Sequence, residues 1–145
     1  MLVANILEVK GTEVMTVRPT DTVRNVARRL VQENVGALVV SSGGSTLDGI
    51  ISERDISRGV AIHGENVCTL RVSDIMTEGV VTCAPDDAIS DTARMMTERR
   101  IRHIPVKDGT RIVGIISIGD ILKYRLDEVM LETRVLRDIA MVINR

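Results

Sequence analysis

The chain is written twice. Sliding the 145-residue sequence against itself by 66 positions lays Pro19 on Pro85, Asp21 on Asp87, Val23 on Ile89, Ala27 on Ala93, Leu30 on Met96, Val35 on Ile101 and Val40 on Val106. Shortening the offset by one places GIISERDI, residues 49–56, over GIISIGDI, residues 114–121. The slip falls in the loop between two apolar runs, where insertions are cheapest. Two copies at so long a period suit a paired module better than an open array of repeats.

Both copies list the same elements in the same order. Val80 to Thr82 predicts a short extended piece, and Pro85 with Asp86 and Asp87 predicts the start of a helix whose apolar face is Ile89, Ala93 and Met96. The first copy repeats that stripe with Val23, Val26, Ala27, Leu30 and Val31. His103–Lys107 and Arg111–Ser117 are two β-branched runs joined by Asp108–Gly109, which predicts a hairpin. A second helix follows each hairpin, the last from about Gly119 toward the C-terminus. The predicted fold class is therefore α/β (α+β): two β-α-β-β-α units of about sixty residues, packed through their sheets because each has few strands of its own.

Composition narrows the function. The aromatic content is a single tyrosine, Tyr124, which leaves little to stack a row of nucleobases. Nineteen basic residues against twenty acidic ones give a net charge of -1, so no global field draws in nucleic acid or an anionic membrane. Neither is expected as a partner. Cys68 and Cys83 are too few for a disulfide framework or thiolate metal site, and MLVANILEVKG lacks the pattern of a signal peptide. A cytoplasmic protein is expected.

The chemistry concentrates at a corner present in both copies. Ser52-x-x-Asp55 and Ser117-x-x-Asp120 each follow an apolar strand and open a helix. One reading is a capping box, in which Ser and Asp satisfy each other's backbone N–H. The other uses the same geometry for a ligand. A helix N-terminus attracts a phosphate, a carboxylate one turn in accepts from two vicinal hydroxyls of a ribose, and a Val/Ile/Leu wall suits a purine. The spacing alone leaves both readings open, and neither requires catalysis. An enzyme would need a nucleophile with a base, or a metal cluster, and neither is present in the pattern.

From about Val14 to Ile121 the chain resembles the tandem CBS-domain family, the module named after cystathionine β-synthase, through IMTEGVVTCAPDD, RIRHIPV, GIISIGD and their first-copy counterparts. The resemblance implies a pseudo-two-fold disc with two clefts, each able to hold an adenine nucleotide (AMP, ADP, ATP or NAD), in a regulatory sensor. It implies that Asp55 and Asp120 bind ribose, with Ser52, Ser117 and Arg54 beside them. It places Thr16, Val17, Thr77, Val81 and Ala84 in base-contacting extended pieces, and Gly36, Ala37, Arg102, His103 and Pro105 on strands lining the clefts. It further implies that Arg102 and His103 face the ligand held by Asp55. The hydrophobic-Pro pattern of the family stands in the second copy and is lost in the first. A protein-interaction module with no nucleotide is the alternative.

The expected organisation is a leading segment 1–12, repeats 13–66 and 67–124, and a helical extension 125–145. In that last helix Leu122, Leu126, Val129, Leu136, Ala140 and Ile143 recur in fours and threes, interrupted by Thr133. Past residue 130 the repeat has ended and the stripe has no partner within it, so a homodimer is expected through this helix and the flat face of the module, with Asn5–Val9 helping to cover it. The output of a sensor without its own effector domain must pass to a separate protein. Cys83, Met95 and Met96 are expected in the core, and His63 and His103, on different elements, are not expected to form a metal site.

Overall fold

The computed structural model describes residues 1–11 and 13–144. Thr12, the last residue of the leading segment assigned above, and Arg145, the last of the helical extension, lie outside them.

The first repeat begins with β1 (Thr16–Val17), α2 (Val23–Glu33), β2 (Ala37–Val40), β3 (Gly49–Ser52) and α3 (Glu53–His63). The second holds α5 (Ile89–Arg99), β4 (His103–Asp108), β5 (Arg111–Ser117) and α6 (Ile118–Ile143). Two further helices lead into the repeats: α1 (Val3–Lys10) opens the chain and the short α4 (Val72–Ile75) follows a 3-10 turn at Gly64–Thr69.

The local reasons are visible in the residues. In α2, Val23, Val26 and Leu30 form the buried stripe, and the Thr22 hydroxyl accepts from the Asn25 N–H at 3.2 Å to cap it. In the second repeat the helix starts at Ile89, later than Pro85 and the acidic pair predict. The Asp87 carboxylate is used instead to close a turn by accepting from the Ala84 N–H at 2.8 Å. Asp21 does the same with Arg18. Both hairpins form, the second with the tight turn at Gly109, whose φ of 64° suits glycine. The extended piece Val80–Thr82 forms no strand, and only Cys83 bridges, parallel to Val106. In the first repeat the same place is β1, parallel to β2.

The cores are two clusters, and neither repeat completes its own. Val72, with Ile75 and Met76 packed against it, belongs to the cluster of Val17, Val26, Leu30, Leu38, Val40 and Ile51 in the first repeat. Val3, Ile6 and Leu7 belong to the cluster of Ile89, Met96, Ile104, Val106, Ile116 and Ile121 in the second. Cys83 and Met96 are buried there, and Met95 packs against them. The exchange is symmetric to the level of single hydrogen bonds. Val72 N–H donates to Asp21 O at 2.8 Å and Ser73 N–H to Pro19 O at 3.0 Å, while Val3 N–H donates to Asp87 O at 2.9 Å and Ala4 N–H to Pro85 O at 2.8 Å. The returning bonds, Val23 N–H to Leu70 O and Ile89 N–H to Met1 O, match as well.

Two glycines make room for these crossings. A Cβ on Gly114 would lie 2.6 Å from Leu7 Cδ2, and one on Gly49 would lie 2.8 Å from the Thr77 carbonyl oxygen. Ile6 and Leu7 thus spend their apolar surface on the second repeat. They leave the far part of α6 uncovered: Leu126, Val129, Leu136 and Ile143 are all at least half exposed in the single chain. Among the described residues, no helix is long and apolar enough to cross a membrane.

Because Leu7 is a core residue of the second repeat, Leu7→Ala should cost about 2–5 kcal/mol of folding free energy, as for other buried leucines. Urea denaturation followed by circular dichroism measures this, and a loss below about 1 kcal/mol would place α1 outside the core.

Candidate functional site

At the end of β3, Ser52 turns extended (φ −122°, ψ 167°) and opens α3. Its hydroxyl accepts from Asp55 N–H at 3.3 Å, and Asp55 Oδ2 accepts from Ser52 N–H at 2.9 Å and Ser52 Oγ at 3.1 Å. The capping box is real. It uses one carboxylate oxygen, and Oδ1 accepts from the Thr77 hydroxyl at 2.9 Å. Thr77 reaches that position because its backbone pairs with Ile50 (N–H to O, 2.9 and 3.0 Å), immediately after α4.

Asp55 is only 8% exposed, yet it lines a cleft of about 620 Å³ formed by both repeats. Ser52, Glu53, Arg54 and Arg58 line it from the first repeat, and Thr77 and Arg99 to His103 from the second. Five guanidinium groups (Arg54, Arg58, Arg99, Arg100, Arg102) face two carboxylates (Glu53, Asp55). None of the five is in a salt bridge among the described residues. Arg54 donates to Arg100 O at 3.0 Å and ties the two walls together. The cleft therefore combines a diol acceptor, the N-terminus of an eleven-residue helix and a cationic rim.

The second corner is capped in the same way. Ser117 Oγ accepts from Asp120 N–H at 3.1 Å, and Asp120 Oδ2 accepts from Ser117 N–H at 2.8 Å. The difference is Lys10, whose ammonium reaches Asp120 Oδ2 at 2.7 Å and the Ile115 carbonyl oxygen at 2.7 Å. Burial alone would raise the Asp120 pKa, but the Lys10 hydrogen bond and the Ser117 N–H together hold it below the usual carboxylate value. A neighbouring cavity of about 500 Å³, lined by Asn34, Val35, Gly36, Glu53, His103, Ser117 and Gly119 among others, marks the second cleft.

Gly36 and His103 border both clefts. A Cβ on Gly36 would come within 2.9 Å of His103 Nε2, so the glycine makes room for the imidazole. Burial first, then the Lys10 ammonium, push the His103 pKa below its ordinary value.

The remaining sequence-predicted residues lie elsewhere. Thr16 and Val17 line a separate groove with Arg18 and Ser41 to Gly44, and the Thr16 carbonyl accepts from Arg29 at 2.6 Å. Ala37 is buried at the start of β2. Ala84 N–H is held by Asp87, and neither Ala84 nor Val81 borders the two clefts. Pro105, expected in a cleft wall, is buried within β4, where its carbonyl accepts from Cys83 N–H at 3.1 Å. Its missing N–H is tolerated because the flanking pairing there is a single bridge and not a full strand. Arg99 and Arg100, both exposed, line the first cleft, as does Arg58. Arg58 follows Arg54 by four residues, one helical turn, which is a signal the sequence did carry. Cys83 has its thiol pKa pushed up to about 11 by burial and by Asp87, which leaves it unreactive. Among the described residues, no group of three or more His, Cys, Asp or Glu is placed to hold a metal.

A paired β-α-β-β-α module with exchanged leading segments and two strand-to-helix corners defines the class. The family model described as "CBS domain" matches twice, over residues 6–62 and 72–127, and the chain belongs to that family. It is 40% identical over 112 residues to the CBS domain-containing protein CBSX3, mitochondrial, of Arabidopsis thaliana, covering 74% of this chain and 54% of that protein. The chain thus spans about half the length of that relative. Among solved structures, the CBS-domain containing protein ATU1752 from Agrobacterium tumefaciens matches with a TM-score of 0.82 and 38% identity, over 86% of this chain and 92% of that one. The CBS domain pair of protein MJ0100, solved with 5-methylthioadenosine and S-adenosyl-L-methionine, matches with a TM-score of 0.77 and 28% identity, over 88% and 98%.

The depressed His103 pKa gives a pH dependence with a definite sign. The unfolded chain takes up this proton near 6.5 and the folded chain resists it, so the unfolded state binds more protons and stability falls as the pH drops through 6.5. Urea midpoints at pH 7.5 and 5.5 should differ in the wild type, and the difference should shrink in His103→Gln. An unchanged difference would remove His103 from this role.

Proposed function

We propose that this chain is a regulatory CBS pair that senses energy or redox state by binding an adenine nucleotide (AMP, ADP, ATP or NAD) in the Asp55 cleft. The carrying observation is that Asp55, Thr77 and five arginines from both repeats converge on one cavity of about 620 Å³. Asp55 accepts from the ribose hydroxyls once the Thr77 and Ser52 hydroxyls rotate, and the arginines with the α3 N-terminus meet the phosphates. The adenosine-type ligands of the MJ0100 pair support the ligand class. Nothing in this arrangement performs a chemical step, and the reading is of a sensor and not a catalyst.

Occupancy would draw the two repeats together, since each supplies part of the cleft, and would stabilise the closed module by mass action. The signal passes to an effector. The alternative, an interaction module without a nucleotide, rests on the uncovered side of α6, where Leu126, Val129, Leu131, Leu136, Ile139 and Val142 are all about half exposed or more. We assign that surface to a homodimer contact, because among the described residues twelve large apolar side chains of α6 are exposed in the single chain, more than a monomer carries on one helix without a partner.

Isothermal titration with AMP, ADP, ATP and NAD tests the nucleotide reading. Asp55→Asn keeps one cap acceptor but replaces a diol acceptor by a donor, and should weaken the best ligand about tenfold to hundredfold. Binding by none of the four, or undiminished binding by Asp55→Asn, would reject it. For the dimer, Leu126→Glu with Leu136→Glu should convert the protein to monomer in light scattering at unchanged helix content, and a wild-type monomer would contradict the assignment.

A further inference from the structure

The two corners are nearly identical in sequence but unequal in what already occupies them. In the first, Thr77 makes two contacts: its N–H donates to Ile50 O at 2.9 Å and its hydroxyl to Asp55 Oδ1 at 2.9 Å. Ile50 and Ile115 are matched by the duplication, as are Asp55 and Asp120. In the second corner the single ammonium of Lys10 contacts the matching pair of groups, Ile115 O and the Asp120 carboxylate, each at 2.7 Å, but on Asp120 it shares Oδ2 with the capping Ser117 N–H. A neutral hydroxyl that can rotate is thus replaced by a fixed cation.

The rims have diverged in the same direction. At the positions matching Arg54, Arg58, Arg99, Arg100 and Arg102 the sequence has Gly119, Lys123, Glu33, Asn34 and Gly36. Of these Gly119, Asn34 and Gly36 line the second cavity, where Arg102, shared with the first, is the one arginine against five in the first cleft.

The geometry points to Lys10 as a built-in occupant of the second corner, so that each chain binds one nucleotide, in the Asp55 cleft. This rests on the nucleotide reading of that cleft. A ribose entering the second corner would have to displace or share a carboxylate already held in a charge-assisted ion pair, with Arg102 as the one arginine lining the cavity, so that corner stays closed to it. In the first corner the competing group is a hydroxyl, which yields at little cost. Lys10 is the last residue of α1, whose Ile6 and Leu7 are anchored in the second core, so the ammonium is delivered by packing and not by chance of a mobile tail. Its charge is felt at His103, which borders both clefts.

Equilibrium dialysis with ADP counts the sites. The wild type should bind one ADP per chain and Lys10→Met two, with the second lost again in Lys10→Met/Asp120→Asn. Lys10→Gln serves if the methionine variant folds poorly. Carbon-13 NMR of the Asp120 carboxyl provides a readout independent of ADP: its pKa should rise in Lys10→Met, because the cation that depresses it has gone. Two ADP on the wild type, or one on Lys10→Met, overturns the inference, as does an Asp120 pKa that does not move. A wild type that binds neither ADP nor, in the same dialysis, AMP, ATP or NAD rejects the nucleotide reading of the first cleft. In that case one ADP gained by Lys10→Met and lost with Asp120→Asn still supports the Lys10 lock, and no gain overturns it.

Discussion

Each half of this molecule closes its core with a segment that precedes the other half in the chain. A β-α-β-β-α unit has one hairpin and a short parallel strand or bridge, and leaves an apolar edge that a short helix must cover. Val72 with Ile75 does this for the first repeat and Val3 with Ile6 and Leu7 for the second. The matched hydrogen bonds to the carbonyls of Pro19, Asp21, Pro85 and Asp87 set the angle of entry. The functional corners follow from that exchange, because whatever residue ends the lent segment is laid across the strand beside the aspartate. In one repeat this residue is Thr77 and in the other it is Lys10.

The corner itself serves two ends with the same few atoms. A helix that starts directly after a buried strand needs its first N–H groups satisfied, and Ser52 with Asp55, like Ser117 with Asp120, satisfies them. This takes one oxygen of each carboxylate; the other oxygen of Asp55 meets the Thr77 hydroxyl, and Lys10 shares the capping oxygen of Asp120. Capping and ligand capacity are therefore compatible and do not compete, provided the residue delivered from the neighbouring segment can move aside.

Much of this was legible in the residues because period, pattern and turn chemistry are local. The duplication, the hairpin at Asp108–Gly109, the Ser-capped helices and the placement of Arg102 and His103 across from Asp55 needed only alignment and analogy. The exchange of segments was not legible: eight residues of α1 carry an apolar stripe that fits any hydrophobic surface, and nothing local says which. Lys10 was invisible for the same reason, being 110 positions from Asp120. Arg99 and Arg100 are exposed, as arginines at a helix end usually are; what the sequence did not show is that they also line the cleft, beside the left-handed turn at Arg100 (φ 54°). Pro105 shows the limit of analogy: the family resemblance implied a cleft wall, and the structure buries it within β4, beside the isolated bridge of Cys83 to Val106.

One further property follows from α6 being continuous. It is capped at Ser117, beside the corner that Lys10 fills, and runs 26 residues to Ile143, about 39 Å at 1.5 Å per residue. A rod of that length pivoting at its base displaces its tip by about 3 Å for a five-degree tilt. A small tilt at the base beside the corner would thereby become a shift of up to about 3 Å at the far end of the apolar side, where a neighbouring molecule would feel it.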